Sequence, residues 1–157
     1  MADAANATKV HTVDPPFVGK FTLEIGTEII GSFTEVSGLA VSLDVEEFAE
    51  GGQNGFTHKV LGRMKWPNIT FKRGLTDTDA LFKWITDCSG AGLTGKSNKV
   101  AALDGKISVL DAKGKPMRTW TILAAKPVKW TGPRLAASSR DLAVEELEVC
   151  HSGFSSA

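Results

Sequence analysis

The chain has 157 residues, the length of a single domain, and a domain of that size buries roughly 70% of the surface its unfolded form exposes. Lysine plus arginine and aspartate plus glutamate both number 18, and a formal charge of zero argues against phosphate-backbone binding as a primary role while favouring association. No apolar run approaches the roughly 18 residues that cross a bilayer, and no basic region followed by an apolar core opens the chain, so synthesis in the cytoplasm without a secretory signal is expected.

Residues 1–16 are small and polar and end in Asp14-Pro15-Pro16, which predicts an arm outside the core. Phe17, Phe21, Leu23 and Ile25 then alternate with Lys20, Thr22 and Glu24 as a first strand, and Gly26-Thr27 is a turn. Glu28 to Val36 reads as the second strand. Leu39 to Glu47 reads as the third, with Leu39, Val41, Leu43 and Val45 on one face and Ser42, Asp44 and Glu46 on the other. Phe48 to Met64 has no strong period and contains Glu50-Gly51-Gly52-Gln53-Asn54-Gly55, so a long loop is expected there.

Ile69 and Phe71 alternate with Asn68, Thr70 and Lys72 as the next strand, and Gly74 ends it. Thr76 with Asp79 resembles a capping box. Leu81, Trp84, Ile85 and Cys88 follow at helical spacing, the one convincing helical stripe in the sequence. After a small-residue link, 89–98, strands are predicted at Lys106 to Leu110, Met117 to Ala124 and Ala143 to Cys150. Asp111 to Lys115 makes a hairpin turn, and Pro127 marks an edge or a bulge in an extended Lys126–Trp130 segment. Seven or eight short strands with one helix indicate a mainly β protein, an antiparallel sandwich or barrel. Phe21, Phe71, Leu81, Trp84, Ile85 and Trp120 are its expected core.

Chemistry is hard to find. The three histidines, His11, His58 and His151, fall into no HExxH or other metal-ligand spacing, and GxSxG, GxGxxG and P-loop patterns are missing. Asp44, Glu46, Glu47 and Glu50 form an acidic run that a solvated strand face explains as well as a catalytic pair does. Cys88 and Cys150 lie on apolar patterns and read as buried free thiols. The sequence thus predicts no enzyme, no cofactor and no metal.

Several strings in order carry a resemblance. They are Phe33-Thr34-Glu35-Val36-Ser37-Gly38-Leu39, Glu50-Gly51-Gly52 with Asn54, Ile69-Thr70-Phe71-Lys72-Arg73-Gly74, and Leu81 with Trp84. Two more follow: Ala125 to Pro133 (AKPVKWTGP) and Ala143 to His151 (AVEELEVCH). Together they resemble the inner tube proteins of contractile phage tails and contractile injection systems, with a fold similar to haemolysin-coregulated protein. Val60-Leu61-Gly62 stands where that family usually has Leu-Pro-Gly.

The resemblance implies a tail-tube domain over 17–154 whose β-layer joins neighbouring copies in a six-membered ring, forming a continuous β-barrel, with rings stacked into a rigid hollow tube. It implies as partners other copies of the chain, a surrounding sheath, baseplate or spike and tube-terminating proteins, and cargo in the lumen. Under that reading Glu47, Glu50, Gly51, Gly52, Asn54, Phe56 and His58 belong to a ring-stacking loop within 48–64. The polar positions Ser42, Asp44, Glu46, Asn68, Thr70 and Lys72 are assigned to the lumen. Two alternatives stay open on the residues themselves: a monomeric ligand-binding β-barrel, and a hydrolase using the acidic run with His58 or His151.

Overall fold

The computed structural model describes residues 19–52, 55–77, 79–90, 92, 94, 100, 102–135 and 142–156. The expected arm, 1–16, and Asn54 lie outside them. Among the described residues ten strands and a helix run in the order β1 (Lys20–Ile25), β2 (Glu28–Phe33), β3 (Glu35–Ser37), β4 (Ser42–Phe48), β5 (His58–Lys65), β6 (Ile69–Gly74), α1 (Ala80–Asp87), β7 (Leu103–Leu110), β8 (Pro116–Thr131), β9 (Val144–Cys150) and β10 (Phe154–Ser156). Every strand pairing is antiparallel.

Seven strands form one path, β2-β1-β7-β8-β9-β6-β3, and β10 joins it beside β8 as an eighth. The path folds into two layers because two strands turn corners. The expected second strand is divided at Thr34, whose N–H and hydroxyl both donate to the Lys72 carbonyl, at 2.9 and 3.1 Å. Its first half, β2, pairs with β1 and its second half, β3, pairs with β6. The long β8 turns at Ala124, a non-glycine residue at φ 52°, where the Ala124 N–H donates to the Asp104 carboxylate at 3.0 Å. Residues 116–125 pair with β7, whereas 126–131 pair with β9 through a bulge at Pro127–Lys129. The first layer is therefore β2-β1-β7-β8-β10, and the second is β3-β6-β9 with the end of β8.

Period-2 positions of both layers meet in the core. Leu23, Ile25, Ile30, Phe33, Ile107, Ile122 and Ala125 come from the first layer, and Ile69, Phe71, Leu147 and Val149 from the second. Leu81 and Trp84 of α1 complete it, while Phe21, Ile85, Cys88 and Trp120 are half-buried against it. Both cysteines are free thiols and half-buried, less enclosed than their sequence pattern suggested. The helix begins later than a capping box at Thr76 would place it. Asp79 is the N-cap and makes no side-chain cap hydrogen bond. Gly92 and Thr94, in the expected link, are helical.

One buried pair of charges sits among these apolar groups. Arg73 and Glu145 face each other across β6 and β9 and form an ion pair through Nε and Oε1. The Trp130 indole N–H donates to the other Glu145 oxygen at 3.1 Å. The Arg73 guanidinium lies over the Phe33 ring and against Gly31, where a Cβ would stand 2.5 Å from Nη1. A buried charge persists only when its partners replace water, and here Arg73 and Trp130 supply that replacement to Glu145.

Candidate assembly site

The strands β4 and β5 stand apart from both layers as a two-stranded ribbon. The chain enters it from β3 and leaves it into β6, which are themselves paired, so the ribbon prolongs the β3–β6 ladder beyond the domain body. Its base is held tightly. Gly38 has φ +87° and lies so close to the Asn68 carbonyl that a Cβ would come within 2.2 Å of it, which accounts for the glycine in Ser37-Gly38-Leu39. On the return side Trp66 packs edge-on against His151 and Phe154, and the His151 Nε2–H donates to the Pro67 carbonyl at 3.0 Å. The Gly153 N–H donates to Nδ1 of the same ring. Both His151 nitrogens thus have structural partners.

The expected loop 48–64 needs correcting: His58–Lys65 is strand, and the connection spans only 49–57. A register shift between Leu43 and Val45 explains why the period was invisible. Leu43 pairs with Met64 and Val45 with Leu61, so Leu61 and Met64 share a face although they are three residues apart.

The two faces of the ribbon differ. On one, Ser42, Asp44, Glu46 and Phe48 lie with Lys65, Val60 and His58, and Lys65 bonds Asp44 at 2.7 Å. The other carries Leu43, Val45, Leu61 and Met64, between 40% and 68% exposed, with a Glu47–Lys59 pair at 3.3 Å towards the tip. All seven residues of β4 and all eight of β5 are exposed. At the tip Glu50 bonds His58 at 3.1 Å and Phe56 meets the His58 ring edge-on. Gly51 and Gly52 have open space around them, and Gly52 is at φ +91°. Glu47, Glu50, Gly51, Gly52, Phe56 and His58 thus fall at one end of the ribbon.

An isolated two-stranded ribbon is marginal in water. Fully burying a leucine, valine or methionine is worth about 1.5–3 kcal/mol, so covering four half-exposed ones offers ~3–6 kcal/mol. That gain is unrealised among the described residues.

The remaining lumen candidates lie elsewhere, on the outward face of the second layer. Asn68 donates to Glu148 at 2.7 Å, Thr70 sits between Ser37 and Glu148, and Lys72 bonds Glu35 at 3.0 Å. The Glu35 hydrogen bond and charge hold the Lys72 ammonium above the ordinary lysine range. The six positions are therefore divided between the ribbon and this sheet face. Sheet edges are also unequal. The edge of β2 has α1 against it, with Lys83 reaching Glu28 at 3.5 Å. Residues 126–131 of β8 pair only with β9 among the described residues, and β4 and β5 only with each other. Pairing alternation showed which faces were polar, and Pro127 marked the edge and bulge of residues 126–131, but nothing local in the sequence identified β4 and β5 as open.

Among the described residues neither alternative function gains a site from the groups its reading named. The acidic run is spread along an exposed ribbon, and the His58–Glu50 pair faces solvent. Two cavities of about 70 and 120 Å³ flank α1, well below the ~300 Å³ of a small-molecule pocket. Among the described residues no group of three or more His, Cys, Asp or Glu could hold a metal ion, and no helix is long and apolar enough to cross a membrane.

A packed β body, a projecting exposed ribbon and uncovered sheet edges define a structural subunit. The chain belongs to the T4-like virus tail tube protein gp19 family, whose model matches residues 19–155. Among solved structures, it is similar to a chain in the structure of the anti-feeding prophage tube-terminating cap, with 25% identity over 99% of both chains and a TM-score of 0.77. It is similar as well to a chain of the sheath–tube complex of an extracellular contractile injection system in the extended state. That match has 28% identity over 98% of this chain and 99% of the other, with a TM-score of 0.76. An Hcp protein shares the fold, at 11% identity over 88% of this chain and 96% of the other, with a TM-score of 0.51. No curated protein matches the sequence.

Proposed function

We propose that this chain is the inner-tube subunit of a contractile injection particle. Six copies close into a ring, rings stack into a hollow tube, and contraction of a surrounding sheath drives the tube through a target envelope so that cargo travels along its lumen. The observation that carries this reading is the ribbon: both strands are exposed throughout, and one face is apolar. A neighbouring copy that covers Leu43, Val45, Leu61 and Met64, and that pairs with residues 126–131 of β8, completes both unfinished features at once. Closure through copies removes open edges, which a free subunit would otherwise expose to aggregation.

Partners of the tube in this reading are further copies of the chain, the sheath, the baseplate or spike at one end, a terminating protein at the other and the lumenal cargo. The likeness to a chain in the structure of a tube-terminating cap supports a second role, capping, for the same fold. Tip residues Glu50, Gly51, Gly52, Phe56 and His58 then contact the next ring. The test is size-exclusion chromatography with light scattering, followed by negative-stain imaging of the purified protein. Hexameric rings and stacked tubes are expected of a tube subunit, and rings that never stack are expected of a cap. A monomer at every concentration refutes both.

A further inference from the structure

The outward face of the second layer carries its charges in registered rows. One row runs Thr131, Glu146, Lys72, Glu35 across β8, β9, β6 and β3. The next runs Lys129, Glu148, Thr70, Ser37, and Lys126 stands opposite Cys150 beyond it. Three carboxylates and three ammonium groups share this face, so its net charge is zero. They are also interleaved. Lys72 stands between Glu146 and Glu35 and bonds Glu35, while Glu148 has Lys129 opposite and accepts from Asn68.

Neutrality by interleaving differs physically from neutrality by absence of charge. Directly opposed residues in a ladder have Cβ atoms about 5 Å apart, so the fields of opposite charges largely cancel within the screening length of about 8 Å at physiological salt. What remains is a surface of hydroxyl, amide and paired ionic groups. Nucleic acid is held by cations that neutralise its phosphates, and here the rows of Lys72 and Lys129 also contain carboxylates that compete for them, which leaves only Lys126, opposite Cys150, without one in its row. The first layer is less suited to this position, because α1 lies against its β2 strand, whereas the open edge at residues 126–131 of β8 belongs to the second layer.

We infer that this face lines the channel and makes it indifferent to charge, so that it admits solutes of either sign, limited by girth, and does not hold nucleic acid by its phosphates. The inference rests on the tube reading above and gives its channel a selection rule, size without charge. Assembled tubes are incubated in about 10 mM salt, where screening reaches only beyond about 30 Å, with neutral, carboxylated and aminated fluorescent dextrans of one hydrodynamic size. Dextrans too wide to enter correct for adsorption outside. The three probes are expected in the pelleted tubes at levels within about twofold of one another, and a tenfold preference for either sign overturns the inference. Lys129→Glu and Glu146→Lys each shift every subunit by two charges, in opposite directions, and are expected to bias entry in opposite senses. If either variant assembles and its entry stays unbiased, the face does not line the channel and the inference fails. Micrographs of the wild-type protein without tubes refute the tube reading instead, before any probe is added.

Discussion

Replacing Leu61 separates assembly from folding. In the subunit this side chain is 68% exposed and sits on the apolar face of the ribbon beside Val45. Full burial of a leucine is worth about 1.5–3 kcal/mol, so covering the exposed two-thirds contributes ~1–2 kcal/mol to each interface. Leu61→Ala removes most of that. Since 1.4 kcal/mol is tenfold in an equilibrium constant, each subunit contact weakens by about 5- to 30-fold, and the concentration needed for assembly rises accordingly. Leu61→Asp goes further, because it asks a carboxylate to enter a covered apolar face without a partner. The isolated subunit is indifferent to both changes, within about 0.5 kcal/mol, as expected of an exposed position. Sedimentation velocity across a concentration series reads the assembly threshold, and thermal unfolding below that threshold reads the fold. One kcal/mol moves the midpoint of a domain this size by about 2–4 °C. A midpoint lowered by 4 °C or more with an unchanged assembly threshold refutes the reasoning, since it places Leu61 in a folding contact and not between copies.

Two further outcomes follow from the same structure. Gly51→Val meets open space and is expected to leave the unfolding midpoint unchanged while shortening or abolishing stacks in micrographs; Gly52→Val adds left-handed backbone strain of about 1–2 kcal/mol, so its stability falls slightly as well. Tubes of normal length from both variants rule out the tip as a stacking contact. Glu145→Gln leaves the buried Arg73 guanidinium without its counter-charge and is expected to destabilise the subunit by about 3–5 kcal/mol in urea unfolding. A loss below about 1 kcal/mol shows that the pair is solvated or dispensable.

Much of the local structure was legible because it depends on near neighbours in sequence. Alternation around Phe21–Ile25, Ile69–Phe71 and Glu145–Val149 marked core strands, and the stripe from Leu81 to Cys88 marked α1, since a side chain's face follows from backbone period alone. The same rule placed Leu43 and Val45 opposite Ser42, Asp44 and Glu46. It could not show that those valine and leucine side chains leave the core uncovered, because an apolar parity looks the same whether it meets its own domain or another chain. β5 escaped notice for a related reason: the register shift breaks period 2 at the point where Leu61 and Met64 change step. Division of the second strand at Thr34 and the turn of β8 at Ala124 depend on partners 38 and 20 residues away, Lys72 and Asp104.

The sequence by itself determined a neutral, mainly β chain with one strong helical stripe, and its ordered strings determined the family. Tertiary structure decided which apolar residues are core and which are left for a neighbour, where the sheet edges stay open, and that Arg73 and Glu145 neutralise each other inside. The reason is that burial and pairing are properties of groups brought together from distant positions, whereas periodicity and turn chemistry are written in adjacent ones.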